Sequence, residues 1–195
     1  TATDLGAPGV DVVYGWGLID ASKAIQGFKV FSSSIEINDS ANSQWSNDIS
    51  GAGGFTKNGT GILTLSGKNT YAGDTNINAG TLVVSGSISG DTNINAGTLV
   101  VNGSIANDTN TNAGTVVVNG SITSDTNTNS GTLVVNVNGS IISDATANAG
   151  TLVVNGSMTN DTNTNTGTVE VNGSITSDTN TNSGTVEVNG SITSD

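Results

Sequence analysis

Apolar and polar residues alternate along most of this chain. Leu82 and Val84 flank Val83, and the slot of Val83 is filled by Glu170 and Glu187 further on. A slot that takes both valine and glutamate faces solvent, so its two neighbours face inward and the stretch reads as a half-buried strand. The stretch recurs with a period of 17. Asp74, Asp91, Asp108 and Asp125 keep that spacing, as do Asp144, Asp161, Asp178 and Asp195, with one step of 19 between the two sets. Each unit reads approximately D-T-N-[I/T]-N-x-G-T-[L/V]-x-V-N-G-S-I-x-x. Self-similarity at a fixed period signals a repeat architecture, and a unit this short cannot hold a helical pair. The pattern predicts three short strand segments per unit, separated by two-residue bends punctuated by Gly80, Gly86 and their equivalents. Asn-Gly pairs such as Asn102-Gly103 suit corners that need a positive φ. Each unit is then one coil of a parallel β-helix, an all-β solenoid.

Stacking the units produces three inward ladders. One runs Leu82, Leu99, Val116, Leu133, Leu152, Val169, Val186. A second runs from Val84 to Val188, and a third runs Ile88, Ile105, Ile122, Ile141, Met158, Ile175, Ile192. The long unit inserts two residues around Val137, and an even insertion preserves the alternation of faces. Burial of these aliphatic side chains falls short of the entropy lost on ordering so many residues. Rung-to-rung backbone hydrogen bonds and stacked Asn and Thr side chains are expected to supply the difference.

Composition narrows the function. The 195 residues include no cysteine and no histidine, and 4 basic residues stand against 16 acidic ones for a net charge of -12. Disulfides, thiolate or imidazole metal sites and histidine-dependent triads are therefore excluded within the sequence. So few cations cannot neutralise a phosphate backbone, which argues against nucleic-acid partners. No apolar run reaches the ~18–20 residues of a membrane span, so no direct membrane insertion is expected. The opening TATDLG lacks a methionine or leader, and Asp195 begins another unit, so the chain reads as a piece of a longer one. Three regions follow: 1–28, of ordinary globular composition; 29–73, a Ser/Asn/Gly-rich transition; and 74–195, the repeats.

Two resemblances add to this. Residues 1–28 resemble the C-terminal end of subtilisin-like serine protease domains, through Ala2-Thr3-Asp4-Leu5-Gly6 and Tyr14-Gly15-Trp16-Gly17-Leu18-Ile19-Asp20-Ala21, followed by Lys23 and Ala24. Asp20 as an N-cap, Ala21, Ala24, Ile25 and Phe28 at helical spacing, and Gly27 at the end predict an amphipathic helix there. Residues 45–84 resemble the autotransporter-associated β-strand repeat. The carriers are Gly53-Gly54-Phe55-Thr56-Lys57, Gly61-Ile62-Leu63-Thr64-Leu65-Ser66-Gly67, Asn69-Thr70-Tyr71-Ala72-Gly73 and Asn78-Ala79-Gly80-Thr81-Leu82-Val83-Val84. Together the resemblances imply a subtilisin-like autotransporter, with a right-handed β-helical stem carrying a secreted serine endopeptidase exported through an outer-membrane β-barrel. The family's catalytic Gly-Thr-Ser motif does not occur in this sequence, so no catalytic residue carries over and the chain itself is not expected to be an enzyme.

Other motifs carry less. The D-T-N-T-N string resembles the start of a calcium loop, but glycine falls at the seventh place instead of the sixth and no acid at the twelfth. No cofactor is expected. The aspartate column, with Asp91, Asp108 and Asp125 as its candidate cation ligands, would stack at ~4.8 Å and repel by roughly 1 kcal/mol per pair. Outward splaying at a corner relieves that repulsion, and weak cation binding is the alternative. Thr-x-Thr pairs such as Thr126 and Thr128 are a feature of ice-binding solenoids. Ile77, Ile94 and Ala147 in the slot of Thr128 predict that this slot points inward, which argues against such a face. The Asn-Gly-Ser triplets read as corners in preference to glycosylation sequons. The expected function is a structural passenger stem at the surface of, or secreted from, a Gram-negative bacterium, with the protease and barrel of its own parent chain as partners. The alternative is an adhesin or self-associating module that uses the outward row Val83, Val100, Val117, Val134 and Val153.

Overall fold

The computed structural model describes residues 2–3, 18–19 and 26–194. The helix expected over residues 21–28 lies, up to Ile25, outside the described residues. Within them the chain winds as a parallel β-solenoid that contains no helix. Ala2–Thr3 pairs with Leu18–Ile19, antiparallel, in a two-stranded sheet of their own. One wall of the solenoid is a nine-stranded sheet that starts at Ser43–Trp45 and Ile62–Leu65, continues through Thr81–Val84 and Thr98–Val101, and ends at Thr185–Val188. Its register is the repeat made physical: Leu82 lies beside Leu99 and Leu99 beside Val116, while Val84 lies beside Val101 and Val101 beside Val118.

All three expected ladders point inward. The Leu/Val stripes are buried from Leu82 and Val84 to Val169 and Val171, and the Ile stripe from Ile88 to Ile175. Val186 and Ile192 are only partly buried and Val188 is 47% exposed, because no described coil covers their far side. The outward slot behaves as the Val/Glu exchange requires, with Val153 beside Glu170 in register. The two-residue insertion folds out as a turn closed by the Gly139 N–H on the Asn136 carbonyl at 2.7 Å, leaving Val137 76% exposed.

The second wall begins at Ile35–Ile37, Phe55–Lys57, Thr75–Ile77 and Thr92–Ile94. The first coils are longer than the rest. Ile35 lies beside Phe55 and Phe55 beside Thr75, a step of 20 each time, before Thr75 meets Thr92 after 17. Phe31, Phe55 and Tyr71 pack together at this end with ring centroids 5.2 to 6.0 Å apart, and Phe28 meets Trp45 edge-on at 5.1 Å. These aromatics fill the wider coils where the later ones need only aliphatics.

Three local expectations are corrected. Both glycine bends persist, but the bend expected at the aspartate, where one unit meets the next, is absent from Ser104 onward, where single nine-residue strands such as Ser121–Asn129 replace two short segments. The corner survives inside the strand as two successive outward residues, Asp125 and Thr126. The Asn-Gly corners do not use positive φ: among the described residues only Gly27, Gly51 and Gly80 have it. Glycine is required there because of the coil beneath. A methyl group on Gly103 would collide with the Gly86 carbonyl, and one on Gly120 with the Gly103 carbonyl. Lastly, Thr92 pairs with Asn110, one position later than the period requires, whereas Asn110 pairs with Asn127 in step with it. That slip by one turns the strand over, and its consequence lies inside the coil.

Candidate functional surfaces inside and outside the coil

Upstream of the slip, Thr75, Ile77, Thr92 and Ile94 face the interior. Downstream the corresponding strands read Thr-Asn-Thr-Asn or a close variant and contain no large apolar residue, so neither face offers a Leu, Ile or Val to the interior. The asparagines go in. Asn112 donates its side-chain N–H to the Asn129 Oδ1, Asn129 to Asn148, Asn148 to Asn165 and Asn165 to Asn182, each at 2.7 Å. The second amide hydrogen reaches a backbone carbonyl one coil on, as from Asn112 to Thr132 at 2.8 Å and from Asn129 to Thr151 at 2.9 Å. An amide has both donor and acceptor, so identical rungs bond to one another at strand spacing, which two threonine hydroxyls do less completely. The ladder starts where it must: the Oδ1 of Asn112 has no partner, because its upstream neighbour in register is Ile94.

A second inner polar row is closed within three successive coils and opens in the next, where Asn163 donates to Asn180 at 3.2 Å and the Oδ1 atoms of Asn160 and Asn163 have no partner. Asn107 and Asn110 exchange two amide bonds at 2.9 and 3.0 Å, Asn127 donates to the Ser124 hydroxyl at 2.8 Å, and the Ser143 and Thr146 hydroxyls meet at 3.0 Å. The interior is thus aliphatic along the nine-stranded wall, while the other wall combines the Ile stripe with hydrogen-bonded polar rows. Nothing in the apolar pattern announced this. The signal was the replacement of Ile94 by Thr111, Thr128, Thr164 and Thr181 while Asn112 and its equivalents stayed.

The outer surface follows. Thr128 and Ala147 are exposed, the reverse of the inward position expected for that slot, since the slip puts them on the other face from Ile77 and Ile94. Asp108, Asp125, Asp144, Asp161 and Asp178 are exposed and Asp91 half-buried, with the Asp108 backbone N–H on the Asp91 carboxylate at 3.2 Å. They sit on the outer face, from Asp108 onward inside the long strands. Corner asparagines form their own ladders, Asn38 to Asn58 to Asn78 to Asn95 along one edge and Asn102 to Asn119 to Asn136 along the other.

Lys57 occupies the inward slot of Ile77 and is 1% exposed. Its ammonium donates to the carbonyls of Gly59 and Ala79. Burial pushes its pKa below the usual 10.5, and the nearby Asp39 carboxylate pulls it partly back. The folded coil therefore holds this proton less tightly than the unfolded chain does. Stability gains from this group as pH climbs from the folded value toward 10.5, because the unfolded state binds more protons in that window. Urea denaturation of the native chain and of Lys57→Met at about pH 7 and about pH 10 checks this, with the stability difference expected to move in favour of the native chain at the higher pH. Tyr71 is buried and shares a 2.6 Å hydrogen bond with Thr75, and burial holds its phenol protonated far into alkali in the native chain and the variant alike.

Comparison with known proteins converges on this coil. Residues 55–84 and 85–101 match the passenger-associated-transport-repeat. An extracellular serine protease of Serratia marcescens is 34% identical over 126 residues, covering 45% of this chain and 12% of that protein. The neisserial autotransporter lipoprotein NalP of Neisseria meningitidis serogroup B is 45% identical over 92 residues, covering 45% of this chain and 8% of that one. The adhesin BmaC autotransporter of Brucella suis is 41% identical over 71 residues, covering 36% of this chain and 2% of that protein. The chain thus spans 12% or less of the length of each of these relatives.

Proposed function

We propose that this chain, whose residues 55–101 match the passenger-associated-transport-repeat, is a length of stem from a subtilisin-like serine protease autotransporter. The stem spaces the endopeptidase from the surface of a Gram-negative cell, and the parent chain leaves through an outer-membrane β-barrel of its own. The chain then contributes length and rigidity and carries no part of the peptidase site. One observation carries the reading: the coils stay paired in parallel from Ile35 to Thr193, through one slip of a residue and one two-residue insertion, each resting on the one before. Such a stack is quasi-one-dimensional, so it can grow outward coil by coil as it emerges. Two of the similar proteins are described as an extracellular serine protease and an autotransporter lipoprotein, and the likeness of residues 1–28 to a subtilase tail supports a protease upstream.

A spacer tolerates a change of length that a discrete binding patch does not. Deleting residues 108–124 from the parent protein removes one period and rejoins Asn107 to Asp125 in phase. Surface-exposed protease, measured by accessibility on intact cells, is expected to stay within about twofold of the undeleted parent, since only nearest-neighbour coils interact. Loss of display on deleting a single in-phase coil contradicts the stem reading. The second reading, a self-associating surface, draws on the similarity to the Brucella adhesin and on the half-buried outward row from Val83 to Val153.

A further inference from the structure

Asn-Gly pairs recur along the chain, and in all but one the asparagine is locked in a corner ladder. Asn58 lies between Asn38 and Asn78, Asn119 donates to Asn102, and Asn172 and Asn189 extend the row that begins at Asn155. The following glycine is locked too. Gly103 donates its N–H to the Val84 carbonyl and Gly120 to that of Val101, both at 2.9 Å and both on the neighbouring coil. Gly59, Gly156, Gly173 and Gly190 do the same at 2.8 to 3.2 Å.

The exception is Asn138-Gly139 in the two-residue insertion. Here Asn136 takes the ladder place, donating to Asn119 at 2.6 Å, and the asparagine next to glycine is a different residue. Asn138 is exposed, and among the described residues no hydrogen bond holds its amide. The Gly139 N–H is tied only to Asn136, within its own turn. Freeing the Gly139 nitrogen at this pair takes the opening of one surface turn, while at every other pair it takes the separation of two coils.

We propose that Asn138 is a site of self-modification, converting to aspartate and isoaspartate through a cyclic imide. The Gly139 amide nitrogen, once its proton passes to solvent hydroxide, attacks the Asn138 Cγ. The new N–Cγ bond forms as the Cγ–Nδ2 bond breaks, and the nitrogen leaves as ammonia after taking up a proton. Water then opens the five-membered ring at either carbonyl. Asparagine and water become an acid and ammonia, with no oxidant, reductant or cofactor. Glycine favours the step because it has no side chain to shield the attacking nitrogen. The product adds a negative charge at an exposed side chain that is itself a rung of neither ladder, so the coil beneath can keep its register.

The test is peptide mapping by mass spectrometry of the intact folded chain held in mildly alkaline buffer made with oxygen-18 water, beside the same chain in urea. In the folded chain Asn138 is expected to convert at least about tenfold faster than any other Asn-Gly pair, a barrier difference of ~1.4 kcal/mol. In urea the pairs should draw level. Comparable rates across the folded chain, or a laddered pair such as Asn119-Gly120 leading, overturns the proposal. Asn138→Gln should abolish the fast phase of ammonia release and leave the melting temperature unchanged, and a fast phase that persists in this variant overturns it equally.

Discussion

Asn129→Asp, a change of one amide to a carboxylate with almost no change of shape, should destabilise the coil by about 3–5 kcal/mol at neutral pH, the range for a buried charge left uncompensated. Asn129 stands in the middle of the inner ladder and is 1% exposed. It accepts from Asn112 and donates to Asn148 and to the Thr151 carbonyl. A carboxylate keeps the first bond and opposes the other two acceptors with its own negative oxygen. The sign with pH follows. Burial and facing carbonyls raise the folded pKa of the new acid above the unfolded ~3.9, so the penalty is complete above the folded value and shrinks as pH falls through it. Below it the protonated acid can donate toward Asn148 again. Urea denaturation of the variant near neutral and near pH 4 reads both effects; equal stability of variant and parent at neutral pH would remove the ladder from the account.

The adjacent pair Val117 and Val118 offers a contrast of similar size. Val118 is 0% exposed and lies between Val101 and Val135, while Val117 lies in the column that Glu170 and Glu187 occupy further on. Val118→Glu loses the transfer energy of a buried valine and sets a carboxylate against aliphatic walls, so a loss of at least ~4 kcal/mol is expected. Val117→Glu should move stability by no more than about 0.5 kcal/mol. The same Val117→Glu protein, examined by sedimentation, decides the second functional reading: if the parent chain self-associates through the valine row, the variant should be monomeric at concentrations where the parent is not.

These two experiments mark the boundary between what was legible in the amino-acid order and what was not. The Val83 slot, with valine in some units and glutamate in others, showed which way the strand faces, and the fixed period showed that the strands stack. Both follow from burial, which leaves a trace in residue type. The turned-over strand left almost none. Thr-Asn-Thr-Asn is polar on both faces, so hydropathy cannot say whether Thr128 or Asn129 is inside. The decision belongs to side-chain hydrogen bonding between rungs, which exists only once the coils are stacked. The corner glycines were recognised as necessary for the wrong reason. Gly103 and Gly120 answer to the carbonyl of the coil below and not to their own dihedral angles, and that is a tertiary contact. The coils from Ile35 to Thr75 escaped the period because their step is longer than that of the later repeats.

Register between neighbouring coils is the claim on which the rest stands, and a chain without cysteine allows it to be tested cleanly. Val100 and Val117 are partners in adjacent parallel strands on the outer face. Adjacent strands lie within the ~4.4–6.8 Å Cα separation that a disulfide bridges. Oxidation of the double variant Val100→Cys with Val117→Cys should close an intramolecular disulfide in nearly every molecule of the folded monomer, whereas Val100→Cys with Val118→Cys, one residue out of register and facing inward, should not close. A reversed preference, or bridging of the first pair only between molecules, would contradict the stacked parallel coil.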